Sequence, residues 1–355
     1  MEDDYVRGRG AQLNTRNRFQ KLHIELDPGP NVPDEDFPEP TVQTRFFKEL
    51  PKKIVSRPHS PDIGFVASVN PYMGCEHGCI YCYARNSHEY WGYSAGLDFE
   101  SKILVKMNAP ELLEKEFLSK KYQPEVIHLS GNTDCYQPAE RRFRLTRRIL
   151  ELCLLYRNPV SIITKNALVL RDKDLLQQLA AQHLVVVLVT LTTLDEPLRQ
   201  VMEPRTVTGR RRLQVMKELA SAGIPVGVMT APIIPGLNAK EIPKLVEEAA
   251  NNGAVWAGYT LVRLNGAIGP LFEDWLRKNF ADRADKVLNQ IRDCHGGQLS
   301  DSRFGTRMSG EGKMAEQIRQ LHRIAVRKYL PTEGFPPLDT SRFLRKGQLS
   351  LFDDP

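Results

Sequence analysis

The sequence predicts an α/β fold, a partial (β/α)6 barrel, and three observations carry that prediction. Six short apolar, β-branched-rich runs suit strands buried on both faces: Phe65–Val69, Val126–Leu129, Pro159–Thr164, Leu184–Thr190, Pro225–Thr230 and Val255–Val262. Between them lie helical patterns at Ala109–Lys120, Ala139–Tyr156, Asp172–Gln182, Thr208–Ala222 and Ala239–Asn252. Polar clusters follow the strand ends, where barrels build their active sites.

Taken in order, residues 1–60 read as an extended polar arm, broken by Asp27-Pro28-Gly29-Pro30 and acidic from Asp34 to Glu39. Residues 61–265 carry the strand–helix repeats. A cysteine-rich loop follows the first strand, Asn132-Thr133-Asp134 the second, Thr164-Lys165-Asn166 the third and Thr192-Thr193 the fourth. Pro235-Gly236-Leu237-Asn238 follows the fifth, and Gly223 and Gly253 sit where helices stop before strands. Repeats of this kind imply a parallel sheet with right-handed crossovers. Six units favour an open-sided barrel over a closed eightfold one, with an open doubly wound sheet as the alternative. Residues 266–330 are helical and basic, an extension packed on the barrel or closing its open side. Residues 331–355 turn to proline, glycine and polar residues, a flexible tail.

No apolar run among the 355 residues is long enough to span a bilayer, so no membrane association is expected. Met1-Glu2-Asp3-Asp4 is not the basic-then-apolar opening of a signal peptide. The scattered cysteines Cys135, Cys153 and Cys294 make no disulfide framework, and a reducing cytoplasm is the expected location. The net charge of +6 is gathered in knots at Arg141–Arg148, Arg210–Arg212 and Arg319–Lys328. Each knot is either a solvated helix face or a footprint for a phosphate backbone.

The most informative stretch is Gly74-Cys75-Glu76-His77-Gly78-Cys79-Ile80-Tyr81-Cys82-Tyr83. Three thiolates at this spacing can hold three irons of a 4Fe–4S cubane and leave the fourth open. A zinc site of Cys75, Cys79, Cys82 and a histidine such as His77 is the competing reading. An ordinary ferredoxin cluster would need a fourth cysteine nearby, and none follows.

Here the sequence resembles the radical S-adenosylmethionine (SAM) superfamily, in which the open iron chelates SAM and one electron releases a 5′-deoxyadenosyl radical. Ser68-Val69-Asn70-Pro71-Tyr72-Met73-Gly74-Cys75 and Cys82-Tyr83-Ala84-Arg85 narrow the likeness to the spore-photoproduct-lyase-like group. Thr133-Asp134-Cys135-Tyr136-Gln137-Pro138, Glu203-Pro204-Arg205 and Pro232-Ile233-Ile234-Pro235-Gly236 point the same way. Within that group the chain looks closest to a bacterial branch distinct from the lyase itself. The resemblance implies a radical-SAM-type barrel with Cys75, Cys79 and Cys82 as cluster ligands, and with SAM as second cofactor. It implies Tyr81 beside the SAM adenine, Thr133 and Asp134 near its amino group, and Lys165 on its carboxylate. Thr190 or Thr192 would meet the ribose. Tyr83 matches a tyrosine beside the radical site. Cys135 is a candidate hydrogen-atom donor, although the residue aligned with the lyase's cysteine is Gly131.

Near the end, Gln348-Leu349-Ser350-Leu351-Phe352 resembles the pentapeptide by which bacterial proteins dock on the replicative sliding clamp. Together these features predict a radical SAM enzyme of lyase or repair type that acts on DNA, in lesion repair or base modification, and is served by a reducing electron donor. Modification of RNA or of a protein is the second enzymatic reading. A cluster-bearing DNA-binding or sensing module without turnover is the third.

Overall fold

The computed structural model describes residues 5–19, 42–58, 60–64 and 66–345. Ten strands are present among them: β1 Arg45–Glu49, β2 Val55–Ser56, β3 Ala67–Val69, β4 Tyr72–Met73, β5 Lys102–Lys106, β6 Ile127–Leu129, β7 Val160–Thr164, β8 Val185–Thr190, β9 Val226–Met229 and β10 Ala254–Gly258. The large sheet runs β10-β9-β8-β7-β6-β3-β2. Strands β3, β6, β7, β8, β9 and β10 are parallel in sequential order, and only the short edge strand β2 is antiparallel. These six are the runs predicted from sequence. The doubly wound alternative falls, because strands added in sequential order by right-handed crossovers keep every helix on one face and curl the sheet into an open barrel.

Val187, Val228, Ile162 and Ile127 pack against Leu150, Leu176 and Leu219 of the surrounding helices, all fully buried. One predicted helix is two. The chain breaks at Arg144, whose φ is +53°, between Glu140–Phe143 and Leu145–Leu155. The break lets the buried Glu140 carboxylate accept the Thr146 N–H at 3.0 Å, so an anion faces the N-terminus of the second helix.

Three features differ from expectation. A second sheet, β1-β5-β4, stands beside the cysteine loop. Of the N-terminal arm, residues 5–19 lie against the barrel, with Arg9, Gly10, Ala11 and Asn17 buried. The tail is not loose as far as Arg345. Phe343 packs among Phe117, Tyr122 and Tyr156, Phe335 stacks on Trp256 at 5.8 Å, and the Leu344 N–H donates to the Tyr156 carbonyl. Aromatic burial outweighs the chain entropy that a proline-rich tail would otherwise keep. The clamp-like segment Gln348–Phe352 lies outside the described residues.

Helices Ile268–Asn279, Ala284–Cys294 and Gly312–Tyr329 form the basic extension. The first two bury Phe272, Trp275 and Leu288 against Ile80 and Tyr81 of the cysteine loop. Asn86 bonds the Asn265 carbonyl and the Ala267 N–H, which bridges the loop after β10 to the segment after the cysteines. No helix among the described residues is long and apolar enough to cross a membrane.

Candidate active site

The cysteine loop lies over the C-terminal ends of the parallel strands and is held there by buried groups. Gly74 and Gly78 take φ values of +78° and +69°, which fold the loop back on itself. Gln137 spans it, donating to the Gly74 carbonyl at 3.0 Å and accepting the Glu76 N–H at 3.1 Å. Arg85, fully buried, donates to the carbonyls of Cys79 (3.0 Å) and Gly78 (3.2 Å) and of Ala95 and Gly96. Its remaining donor meets Glu100 at 2.5 Å. Glu100 in turn accepts the N–H groups of Gly10 and Ala11 at 3.1 and 2.8 Å, so the N-terminal arm is strapped onto the back of the loop.

None of the three cysteines is in a disulfide; Cys75 and Cys79 are buried and Cys82 is half-buried. Burial pushes all three thiols up, Cys79 to about 12. Metal binding reverses this by replacing protons with iron. Among the described residues no group of three or more His, Cys, Asp or Glu is placed to hold a single metal ion. Zinc needs its ligands about 2.3 Å from one point. His77 is also spent elsewhere, with Nδ1 3.4 Å from Asp134 and Nε2 3.2 Å from the Asn166 amide. With His77 so engaged, the loop offers three thiols without the histidine that the zinc reading uses. Three soft thiols on one pinned loop fit the corners of a cubane instead.

Behind the loop is a buried polar wall. Glu203, fully buried, accepts the hydroxyls of Tyr81 and Thr192 and pairs with Arg212 at 2.5 Å. Burial alone would raise the Glu203 pKa, but the Arg212 and Lys165 charges outweigh it and hold the carboxyl well below the usual range. Lys165 stands 5.9 Å from the Tyr81 ring centre. Burial works against its charge, yet the Cys79 thiol and the Glu203 carboxylate keep its pKa raised.

The sequence-predicted residues thus divide. Tyr81 and Thr192 meet on Glu203, and Lys165 lies over the Tyr81 ring. Asp134 is taken up by the Thr164 hydroxyl (2.8 Å) and by the Lys165 and Tyr136 N–H groups (2.8 Å each), which ties the β6 loop to the end of β7. The Thr133 hydroxyl donates to the Tyr72 carbonyl at 2.5 Å, and the Thr190 carbonyl accepts from Arg212 at 3.1 Å. Cys135 has no exposed surface and packs in the main core. Tyr83 is 54% exposed, and its hydroxyl donates to the Gly131 carbonyl at 2.6 Å.

Sequence reasoning missed Arg85, Glu100 and the Glu203–Arg212 pair. Arg212 stood in a knot read as a solvated face or a phosphate footprint, yet its side chain is only 1% exposed. Other knot members are paired: Arg147 with Asp172 and Asp174, Arg148 with Glu111, Arg211 with Glu218. Those arginines are partnered faces rather than an open basic stripe.

A parallel six-stranded partial barrel with three cysteines on one loop over its mouth defines a class of cluster-bearing enzymes. Residues 69–249 match the family profile of the radical SAM superfamily, about half of the chain, and the chain belongs to that superfamily. Its cofactors are accordingly a 4Fe–4S cluster and SAM. It is 33% identical over 236 residues to an uncharacterized protein of Mycobacterium tuberculosis, covering 66% of this chain and 69% of the relative. It is also 33% identical over 186 residues to one from the archaeon Methanocaldococcus jannaschii, covering 52% and 66%. Similar sequences therefore extend beyond bacteria. Among solved structures, spore photoproduct lyase complexed with dinucleoside spore photoproduct superposes with a TM-score of 0.61 at 14% identity, over 81% of this chain and 80% of the lyase. A mutant of that lyase holding AdoMet and the same dinucleoside gives 0.60 at 13%. That likeness carries the fold.

Proposed function

We propose that this radical SAM enzyme acts on DNA, in lesion repair or base modification, with Cys75, Cys79 and Cys82 holding the cluster. When bound, cluster and SAM together supply a 5′-deoxyadenosyl radical. The observation that carries the reading is Tyr83. It stands exposed beside Cys82, with its hydroxyl on the carbonyl of Gly131, the residue that the family resemblance aligns with the lyase's cysteine. The barrel likeness to a lyase crystallised with a dinucleoside lesion supports the same substrate class.

In this reading the chain's own residues have separate tasks. Tyr81, its hydroxyl fixed by Glu203, would present its ring to SAM, and Lys165 beside it would offer a positive charge to the SAM carboxylate. Thr190 or Thr192 would meet the ribose, and the Thr192 hydroxyl is committed to Glu203. Thr133 and Asp134 hold the loop that faces the SAM amino group. Tyr83 is the better placed hydrogen-atom donor. Cys135 would need its loop to open before its thiol could reach a substrate.

The test is 5′-deoxyadenosine release by the anaerobically reconstituted protein with SAM and dithionite, with and without irradiated DNA. Release that rises with DNA is the expected result. DNA-independent release moves the target to RNA or protein, and none from fully clustered protein leaves the sensing module. Alanine at Cys75, Cys79 and Cys82 together should remove the cluster absorbance, and full iron retention would overturn the ligand assignment.

A further inference from the structure

We propose that the surface joining the N-terminal strap, the turn after the cysteine loop and the edge of the small sheet is a stacking platform for unpaired nucleotides. Large aromatic rings stand open to solvent there. Tyr90 is 71% exposed, Phe19 52%, Trp91 42% and Phe47 37%. They are neighbours rather than scattered residues. Phe19 and Tyr90 meet at 4.9 Å between ring centres, and Phe47 and Tyr93 at 5.9 Å. Asn17 joins the two pairs by donating to the carbonyls of Glu89 and Tyr93 at 2.8 and 2.9 Å. Phe47 lies on β1, paired in register with the β5 strand that begins at Lys102. Contiguous exposed aromatic surface of this kind marks an interaction site.

The charges choose the partner. The Arg18 guanidinium lies 4.8 Å from the Phe19 ring and 5.7 Å from Tyr90, and the Lys102 ammonium lies 4.8 Å from Tyr93. Arg16, Arg45 and Lys48 are exposed on the same strap and strand. The carboxylates close by are already paired: Glu89 is 3% exposed and bonds Arg18 at 3.1 Å, and Asp98 bonds Lys102 at 3.1 Å. Exposed rings with Arg16, Arg45 and Lys48 beside them, and neighbouring carboxylates already held by Arg18 and Lys102, suit bases stacked on the rings with phosphates on the exposed cations. A protein partner would want an apolar core with charge around it instead.

The platform is tied to the barrel mouth by a single element. The 3-10 helix Tyr83–Trp91 begins at the mouth with Tyr83 and ends at Tyr90 and Trp91. At about 2.0 Å rise per residue it spans roughly 16 Å, a gap that a few nucleotides of single strand can cross. A target base at the mouth would thus be flanked by bases held on the platform. This rests on the nucleic-acid reading of the mouth and adds the state of the strand it takes, unpaired next to the target.

The experiment measures binding of fluorescein-labelled oligo(dT), and of a matched duplex, to the full reconstituted chain by anisotropy. Wild type should prefer the single strand. Y90A with W91A should weaken oligo(dT) binding about tenfold or more with little change in salt dependence. R45A, two residues from Phe47 on β1, should reduce the salt slope by about one. The substituted residues are all at the surface, so unchanged cluster absorbance and DNA-free deoxyadenosine release certify the fold of each variant. If wild type binds DNA and Y90A/W91A binds oligo(dT) equally well, the platform is refuted while the DNA reading stands. A wild type that binds neither form refutes the platform, and if DNA also leaves deoxyadenosine release unchanged, the DNA reading fails with it.

Discussion

Replacing Arg212 by methionine probes the ion pair that anchors the wall of the site. Both charges have left water, since the Arg212 and Glu203 side chains are 1% and 0% exposed with an N···O distance of 2.5 Å. At an effective dielectric constant near 20, unit charges at that spacing attract by roughly 6 to 7 kcal/mol. Desolvating the two ions costs several kcal/mol each, so the pair as a whole is close to break-even. Removing the guanidinium alone is another matter. Glu203 then stays buried as an anion, with the Tyr81 and Thr192 hydroxyls and the Lys165 charge nearby but without its paired guanidinium. Arg212→Met should therefore cost about 3 to 5 kcal/mol, and adding Glu203→Gln should restore most of it. Anaerobic urea unfolding is the assay, followed by tryptophan fluorescence, since Trp275 packs in the same cluster as Tyr81. A single variant within about 1 kcal/mol of the parent, or a double variant no better than the single, would refute the reasoning.

Three further outcomes are expected. A Cβ on Gly10 would sit 1.7 Å from the Gly78 carbonyl oxygen, so Gly10→Val must lift the strap off the cysteine loop; limited trypsin digestion at Arg16 and Arg18 should accelerate, and an unchanged rate would count against the strap. His77, His88, His128 and His322 are buried and pushed down to about 4 by that burial. Their folded pKa values lie below the unfolded value near 6.5, so the unfolded chain binds more protons in that window. Stability should be complete above about pH 6.5 and fall from there toward pH 4, by up to about 1.4 kcal/mol per histidine per pH unit. Urea midpoints at several pH values check this, and a flat profile would contradict it. Deleting Gln348–Phe352 should abolish sliding-clamp pull-down while leaving deoxyadenosine release intact, and clamp binding that survives would remove that segment from the partner assignment.

The parallel strands were legible because burial on both faces forces continuous β-branched runs, and the chain orders them by simple repetition. The small sheet was not. Strand β1 reads Arg-Phe-Phe-Lys-Glu, a mixed-charge run whose partner β5 lies beyond the whole cysteine loop, and β4 has two residues, too few for any period. The cysteines were legible for a chemical reason: spacing on a single loop is itself the constraint that cluster ligation imposes. The residues that hold the loop were hidden, because a buried arginine and a solvated one look alike in a charge count. One signal was available for Arg212. It falls four residues before Met216 and seven before Leu219, on the apolar stripe of its helix, whereas Arg210 and Arg211 fall off it. A charge on an apolar stripe must find a buried partner or destabilise the fold. Read that way, Arg212 demands a carboxylate from a neighbouring turn, and Glu203 in Glu203-Pro204-Arg205 is the one the fold delivers. The same reasoning reaches Arg85, which follows the third cysteine at helical spacing and is satisfied only because Glu100 and four loop carbonyls close around it. Cysteines thus announce where chemistry occurs, and misplaced arginines announce what keeps that place rigid.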